Sequence, residues 1–317
     1  MEVLVTATLD PADMDCLLES FPEVRFRVET GRGGGDPDPG EAEVLFCWRV
    51  DGAFIERAPA LQWINVPSAG VDHLPLELIA ERGIALTNGR GAHGIPVSET
   101  ALAMMLAFSS GLPDYIAARA ERRWVRPQVA PARFELEGQT LLVIGVGHVG
   151  SALARKARGI GMTVVGCDLR RSEGANGVHR WVALGELDRA LAGADHVALC
   201  LPLTEQTRGI MGAQRIALMK PTAFLYNLGR GALVDQAAVI AALEQGKIAG
   251  AGLDTTLDEP IPQDDPIWSA PNIILTQHSA GASPMNSRRA TDQFSENLHR
   301  YLNGYPLLNL VDPRQGY

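Results

Sequence analysis

Cysteine is scarce and scattered. Cys16, Cys47, Cys167 and Cys200 are all that 317 residues contain, and no pair has C-x-x-C spacing. Three of the four lie in apolar runs, so they read as reduced core residues and not as a disulfide framework or a zinc site. Positive charge is in deficit as well. Lys and Arg total 28 against 37 Asp and Glu, a net charge of −9. That argues against nucleic acid or an anionic membrane surface as partner, and any small anionic ligand would need local positive charge. No apolar run approaches membrane-spanning length. The opening MEVLVTATLD has a short apolar run and no basic flank, which reads as a strand and not a signal peptide. The expectation is a soluble, cytoplasmic protein without a metal ion.

What is present is an ordinary globular composition, 46% hydrophobic and 21% charged, in a chain long enough for two domains. The stretch Thr140–Gly161, TLLVIGVGHVGSALARKARGIG, organises the rest. Leu141 to Ile144 reads as a buried parallel strand. It runs into Gly145, Val146, Gly147, His148, Val149 and Gly150, and then into a helix with Ala152, Leu153, Ala157 and Ile160 on its apolar side. Gly145 suits a tight strand-to-helix turn, Gly147 lets backbone approach a pyrophosphate, and Gly150 lets helix pack on strand. The next strand, Thr163–Cys167, ends at Asp168, about 20 residues on, where a carboxylate can accept from both ribose hydroxyls. Strand, glycines, helix and acid together imply a bound dinucleotide. Asp168 would repel a 2′-phosphate, which favours NAD. Arg170 and Arg171 follow and could bind that phosphate, so NADP is not excluded.

Along the chain, apolar strands alternate with amphipathic helices, the pattern of a parallel sheet covered on both faces. The first set of strands reads as Glu2–Val5, Val24–Val28, Glu43–Cys47, Leu61–Asn65 and Ile84–Thr87, with helices at Pro11–Ser20 and Leu76–Arg82. The loop Thr30–Glu41 is assigned no function. After Asn65, the small residues Ser68, Ala69, Gly70 and Val71 can leave backbone N–H groups of Gly70 and Val71 for a carboxylate; a plain strand-to-helix turn fits them equally. Val97–Ser110 predicts a helix apolar nearly all round, capped by Ser98 with Pro96 before it, crossing between two domains. Residues 113–138, with three prolines and Trp124, read as an extended arm. A second set of strands follows at Leu141–Ile144, Thr163–Cys167, His196–Leu201, Thr222–Asn227, Ile248–Leu253 and Asn272–Thr276. Asp235 predicts the cap of a helix over Gln236–Gln245. A last helix, Asn286–Asn303, comes after the second set is complete, so the chain end returns to the first domain. The expected fold is α/β, two doubly wound parallel-sheet, Rossmann-like domains. Residues 1–98 with 284–317 form a discontinuous flavodoxin-like substrate domain, 99–283 form the nucleotide domain, and an interdomain cleft separates them.

Three strand ends of the second set carry reactive groups: Arg230 after Asn227, Glu259 after Asp254, and His278 after Thr276. Reducing a 2-keto acid needs a cation for its carboxylate and carbonyl, a proton donor, and an acid that tunes the donor. In order and content the chain resembles the D-isomer-specific 2-hydroxyacid dehydrogenase family, which includes D-lactate, D-glycerate, glyoxylate/hydroxypyruvate and phosphoglycerate dehydrogenases. The likeness runs from about Leu61 to Leu310. AGVDHL at Ala69 is similar to the family's substrate-carboxylate loop, VSETALAMML at Val97 to its interdomain helix, and GVGHVG at Gly145 to its cofactor loop. LPLTEQTRGIM at Leu201 resembles the adenine-side strand end. YNLGRGALVDQAAVIAALEQGKIAGAGLD at Tyr226 is the most distinctive block, and WSAPNIILTQHSAG at Trp268 carries the histidine.

The resemblance implies that Arg230 binds the substrate carboxylate and carbonyl, and that His278 is the general acid/base, hydrogen-bonded to Glu259. A carboxylate beside an imidazole favours its protonated form. It implies substrate contacts at Ala69, Gly70 and Val71, and cofactor contacts at Gly145, Gly147, His148, Val149, Gly150, Asp168, Pro202, Thr207, Leu228, Asp254 and Gly281. The ring of His148 is read as structural, as are His73, His93, His179, His196 and His299. The family implies a homodimer through the nucleotide domain, which the apolar helix and the arm fit. Two departures stand out. Gln277 replaces the usual proline before the histidine, and Thr255, Thr256 and Leu257 replace the usual aromatic after Asp254. Trp48, Arg49 and the Ser68 loop are expected to shape the substrate pocket. Glu259 disfavours formate dehydrogenase activity, where the family carries glutamine, and the chain is too short for the regulatory domain of long phosphoglycerate dehydrogenases. The function implied is hydride transfer between NAD(H) and a small 2-keto or D-2-hydroxy acid. The alternatives are an NAD(H)-sensing binding protein of the corepressor type and a phosphite-type dehydrogenase.

Overall fold

A computed structural model describes residues 1–29, 37–168 and 177–316. Arg170, Arg171 and residues 30–36 of the loop Thr30–Glu41 lie outside the described residues. The chain folds as two compact units, Met1–His93 with Ser283–Tyr317, and Gly94–Ala282.

The first unit holds β1 (Glu2–Val5), β2 (Arg25–Val28), β3 (Val44–Phe46), β4 (Trp63–Val66) and β5 (Ala85–Asn88) in the order β2-β1-β3-β4-β5. All pairs are parallel. The central strands are buried on both faces, which is why they read as unbroken apolar runs. One face packs Leu4, Leu45 and Ile64 against Ile55 and Ile79. The other is covered by the helix Asn286–Leu302, whose Ala290, Phe294 and Leu298 share one face. Phe294 stacks on Phe46 and Trp63, with ring centroids 4.3 and 5.3 Å apart. Aromatic pairs of this kind add to area burial, so the C-terminal segment is bound to the first sheet.

The second unit holds β6 (Thr140–Ile144), β7 (Thr163–Cys167), β8 (Arg180–Val182), β9 (His196–Leu199), β10 (Phe224–Asn227), β11 (Gly250–Leu253) and β12 (Ile273–Leu275). Their order is β12-β11-β10-β9-β6-β7-β8, again all parallel. The direction of winding reverses between β9 and β6, the crevice where open α/β sheets bind ligands. The edge strand β8 has no counterpart among the predicted strands. It is three residues long and only one is buried, so it lacks an apolar run.

Several local expectations are corrected. The interdomain helix begins at Gly94, not Val97, and Pro96 sits in its first turn, where a missing N–H breaks no helical bond. Ser98 does not cap it. Its hydroxyl donates to Ile95 O (2.8 Å) and accepts from Lys156 Nζ (2.9 Å), which also reaches Ile95 O and Glu99. Lys156 thus ties this helix to His148–Gly159, and the division of the chain falls at His93/Gly94. The stretch 113–138 is not an extended arm. Leu112–Ala120 is helical, bent by 72° from the preceding helix at Gly111, with Pro113 in its first turn. Short helical turns follow at Arg126–Val129 and Ala130–Ala132, and Phe134 and Leu136 return to the core. Among the described residues no single helix is long and apolar enough to cross a membrane. The four cysteines are free.

Candidate active site

The carboxyl edge of the second sheet carries one loop from each of several strands. After β6, Gly145 turns the chain at φ +89°, a conformation that side chains resist. A Cβ there would lie 2.7 Å from Leu201 N, and one on Gly150 would lie 2.1 Å from Gly145 O. The turn is therefore pressed against the end of β9, and the helix His148–Gly159 sits directly on the turn. A Cβ on Gly147 would meet nothing within 4 Å, and no side chain caps the helix. Asp168, at the end of β7, accepts from Val146 N (2.6 Å), which draws the carboxylate against the glycine turn. An uncapped helix N-terminus beside a bare glycine and an acid is the donor and acceptor set that a dinucleotide needs.

His148 and Val149 form the first turn of that helix; His148 is exposed and Val149 packs on the core. Pro202 is exposed. Thr207 folds the loop after β9 onto itself, its hydroxyl donating to Pro202 O (2.7 Å) and accepting from Thr204 N (2.8 Å). Leu228 is buried, and its N–H donates to Leu199 O. Gly281 lies in the turn after β12. Cys200 stands beside the glycine turn, but burial pushes its thiol up to about 12, so it stays protonated and carries no nucleophilic chemistry at neutral pH.

The next three strands bring the reactive groups together. Asn227 closes β10 and holds the following loop by its side chain: Nδ2 donates to Arg230 O (2.8 Å) and Oδ1 accepts from Gly229 N (3.2 Å). Arg230 is half-buried. A Cβ on its neighbour Gly231 would lie 1.8 Å from Thr256 O, so the arginine loop rests on the backbone of the loop after β11. There Thr256 N donates to Glu259 Oε1 (3.1 Å), while Glu259 Oε2 lies 2.6 Å from His278 Nδ1. A continuous set of contacts therefore links Arg230 to Glu259 and His278. The imidazole and carboxylate are both exposed, so their pairing adds little stability; what it fixes is the orientation and tautomer of the ring. With Nδ1 held by the carboxylate, Nε2 is the nitrogen available for proton transfer.

Three supporting residues escaped the sequence reading: Asn227, Thr276 and Gln236, whose Oε1 accepts from Leu257 N (3.0 Å). The sequence signal for Asn227 and Thr276 is a polar residue at or just after a strand end, and Gln236 opens the helix Gln236–Glu244 behind its cap Asp235. Asp254 is buried, and its Oδ1 accepts from Thr276, Ser279 and Ala280.

Ala69, Gly70 and Val71 belong to the first unit, after β4. Ser68 Oγ donates to Gly70 O (2.9 Å) and Asn88 Nδ2 to Ala69 O (2.7 Å), while the N–H groups of Gly70 and Val71 have no partner among the described residues. A cavity of about 320 Å³ lies at the ends of β1 and β3, where the first sheet reverses its winding; Thr6, Arg49, Phe54 and His73 line it. Among the described residues no group of three or more His, Cys, Asp or Glu could hold a metal ion.

Residues 102–280 match the family model described as D-isomer specific 2-hydroxyacid dehydrogenase, NAD binding domain. The glyoxylate reductase of Korarchaeum cryptofilum is 34% identical over 83% of this chain and 80% of its own length. The D-3-phosphoglycerate dehydrogenase of Methanocaldococcus jannaschii is also 34% identical, over 98% of this chain, which spans 59% of that longer protein. Among solved structures, the D-isomer specific 2-hydroxyacid dehydrogenase from Xanthobacter autotrophicus Py2, in complex with NADPH and MES, superposes with a TM-score of 0.84. It is 32% identical, with 100% of this chain and 99% of that one covered.

Proposed function

The chain belongs to the D-isomer specific 2-hydroxyacid dehydrogenase family, and from that premise we propose that it reduces small 2-keto acids, glyoxylate or hydroxypyruvate first among them, to D-2-hydroxy acids. It is an NAD(P)-dependent oxidoreductase. The observation that carries the finer reading is the 2.6 Å contact of His278 with Glu259 on the edge that also bears the glycine turn.

When bound, NADH supplies the hydride. Arg230 holds the substrate carboxylate and polarises the carbonyl, giving the local positive charge that a net charge of −9 makes necessary. The loop Ala69–Val71 is part of the same proposal as a substrate-binding element of the first unit, through the N–H groups of Gly70 and Val71. His278 delivers a proton from Nε2 to the developing alkoxide, and Glu259 keeps Nδ1 engaged so that the ring presents the correct nitrogen. The glycine turn with His148 and Val149, the loop of Pro202 and Thr207, and Leu228, Asp254 and Gly281 line the cofactor. Asp168 takes the ribose hydroxyls, which favours NAD over NADP.

The test is a panel of glyoxylate, hydroxypyruvate, pyruvate and bulkier keto acids, run with NADH and with NADPH. Oxidation of NADH with glyoxylate or hydroxypyruvate is expected. Tight NADH binding with no keto acid turned over would replace this reading with that of a cofactor-sensing binding protein. We also propose a homodimer through the second unit. Leu106, Leu112, Ile116 and Trp124 are exposed there, Trp124 by 83%. Sedimentation of Trp124→Glu is expected to show more monomer than the parent chain.

A further inference from the structure

The segment that carries His278 is strained. Gln277 and His278 both adopt left-handed backbone, at φ +51° and +54°, and neither is glycine. Adjacent residues of this kind persist only where surrounding bonds over-determine them, and such sites cluster where function needs a fixed geometry. Here one buried residue supplies those bonds. The backbone oxygen of Asp254 accepts from His278 N (2.5 Å). Its carboxylate Oδ1 accepts from Thr276 Oγ1 (2.6 Å), Ser279 N (3.0 Å) and Ala280 N (2.9 Å). Both sides of the strained pair are thus pinned to one oxygen, and the pair itself to the same residue's main chain. The side chain of His278 is fixed separately, through Glu259.

We infer that Thr276 is a positioning residue for His278: its hydroxyl completes a clamp on Asp254 that holds the two-residue left-handed turn and so aims the imidazole. The inference rests on the catalytic reading of His278 given above. Four donor groups converge on a residue 22 to 26 positions earlier, and only one of them, the Thr276 hydroxyl, is a side chain. That makes the clamp open to mutation without touching the imidazole or its carboxylate. Glycine takes a positive φ without strain, so Gln277 is where the cost of the turn can be relieved independently.

The experiment compares Thr276→Val, Thr276→Ser and the double variant Thr276→Val/Gln277→Gly. Thr276→Val is expected to lower kcat roughly tenfold or more, since small misplacements of a reacting group are costly, while the Kd for NADH stays within about twofold. Thr276→Ser keeps the hydroxyl and is expected to restore kcat. The double variant is expected to recover most of it, because the turn no longer needs the clamp. Amide hydrogen exchange at Ser279 and Ala280, measured without cofactor, is expected to speed up in Thr276→Val and to return in Thr276→Ser. Unchanged kcat and unchanged exchange in Thr276→Val would overturn the clamp, as would a double variant no better than the single one. If His278→Gln keeps near-normal kcat, the catalytic reading fails instead, and the exchange result still reports on the clamp by itself.

Discussion

His196 and His278 stand at opposite edges of one parallel sheet, and their surroundings are opposite too. His196 opens β9 at the amino edge and is fully buried. Its Nδ1 lies 3.0 Å from the Tyr226 hydroxyl and its Nε2 lies 2.6 Å from Gln139 Oε1, while Phe224 stacks on the ring. Both nitrogens are satisfied by a neutral ring, one accepting and one donating. Burial pushes its pKa down to about 4, against the upward pull of Asp195. His278 lies beyond the end of β12, half exposed, with one nitrogen on a carboxylate. The contrast shows what a sheet edge decides. In a parallel sheet the carboxyl edge is where strands open into loops and helix N-termini face outward, so polar groups there can meet a ligand. The same residue type at the other edge is locked into the core.

The sharpest way to test that contrast is one substitution made twice. His278→Gln is expected to lower kcat by about a thousandfold, within the usual range for a lost general acid, with NADH affinity retained. His196→Gln is expected to leave kcat within about twofold. Parallel stopped-flow traces decide it, and similar losses at both sites would collapse the distinction.

Acid is the next lever, and it acts on the amino edge. His196 titrates near 4 in the folded chain against 6.5 when unfolded. Between those values the unfolded chain binds more protons, so stability falls as pH falls from 6.5 toward 4 and is fully present above 6.5. By linkage the loss is about 3 kcal/mol. Urea midpoints across that window should show the slope, and His196→Gln should flatten it.

On the carboxyl edge, Glu259→Gln should cost roughly a hundredfold in kcat, because the ring loses its orienting partner. The exposed pair should contribute less than about 1 kcal/mol to stability. A large fall in melting temperature with little change in kcat would reverse the roles assigned to the two edges. The smallest effect on kcat is expected of Gly231→Ala. Its methyl group would have to displace the Thr256 carbonyl, costing about 2 kcal/mol of stability, as overpacking commonly does, with a fall in kcat alongside. Retained kcat would mean that the arginine and glutamate loops are not coupled.

Much was decided by the amino-acid sequence alone. Short apolar runs specify most of the parallel strands, and eleven of the twelve strands among the described residues were legible to within two residues at either end. The glycine turn, Asp168 and the order of Arg230, Glu259 and His278 were equally plain, because strand ends and glycine spacing are local properties. The short edge strand β8 was not legible, and the stretch 113–138, read as an extended arm, begins inside a helix that carries Pro113 in its first turn. Only the tertiary structure decided which distant groups meet: Gly231 against Thr256, Asp254 with Thr276, His196 with Tyr226 and Gln139. The reason is physical. A sequence states how many donors and acceptors each segment carries, but their pairing depends on which loops the parallel strands deliver to the same edge, and that follows from packing the whole sheet.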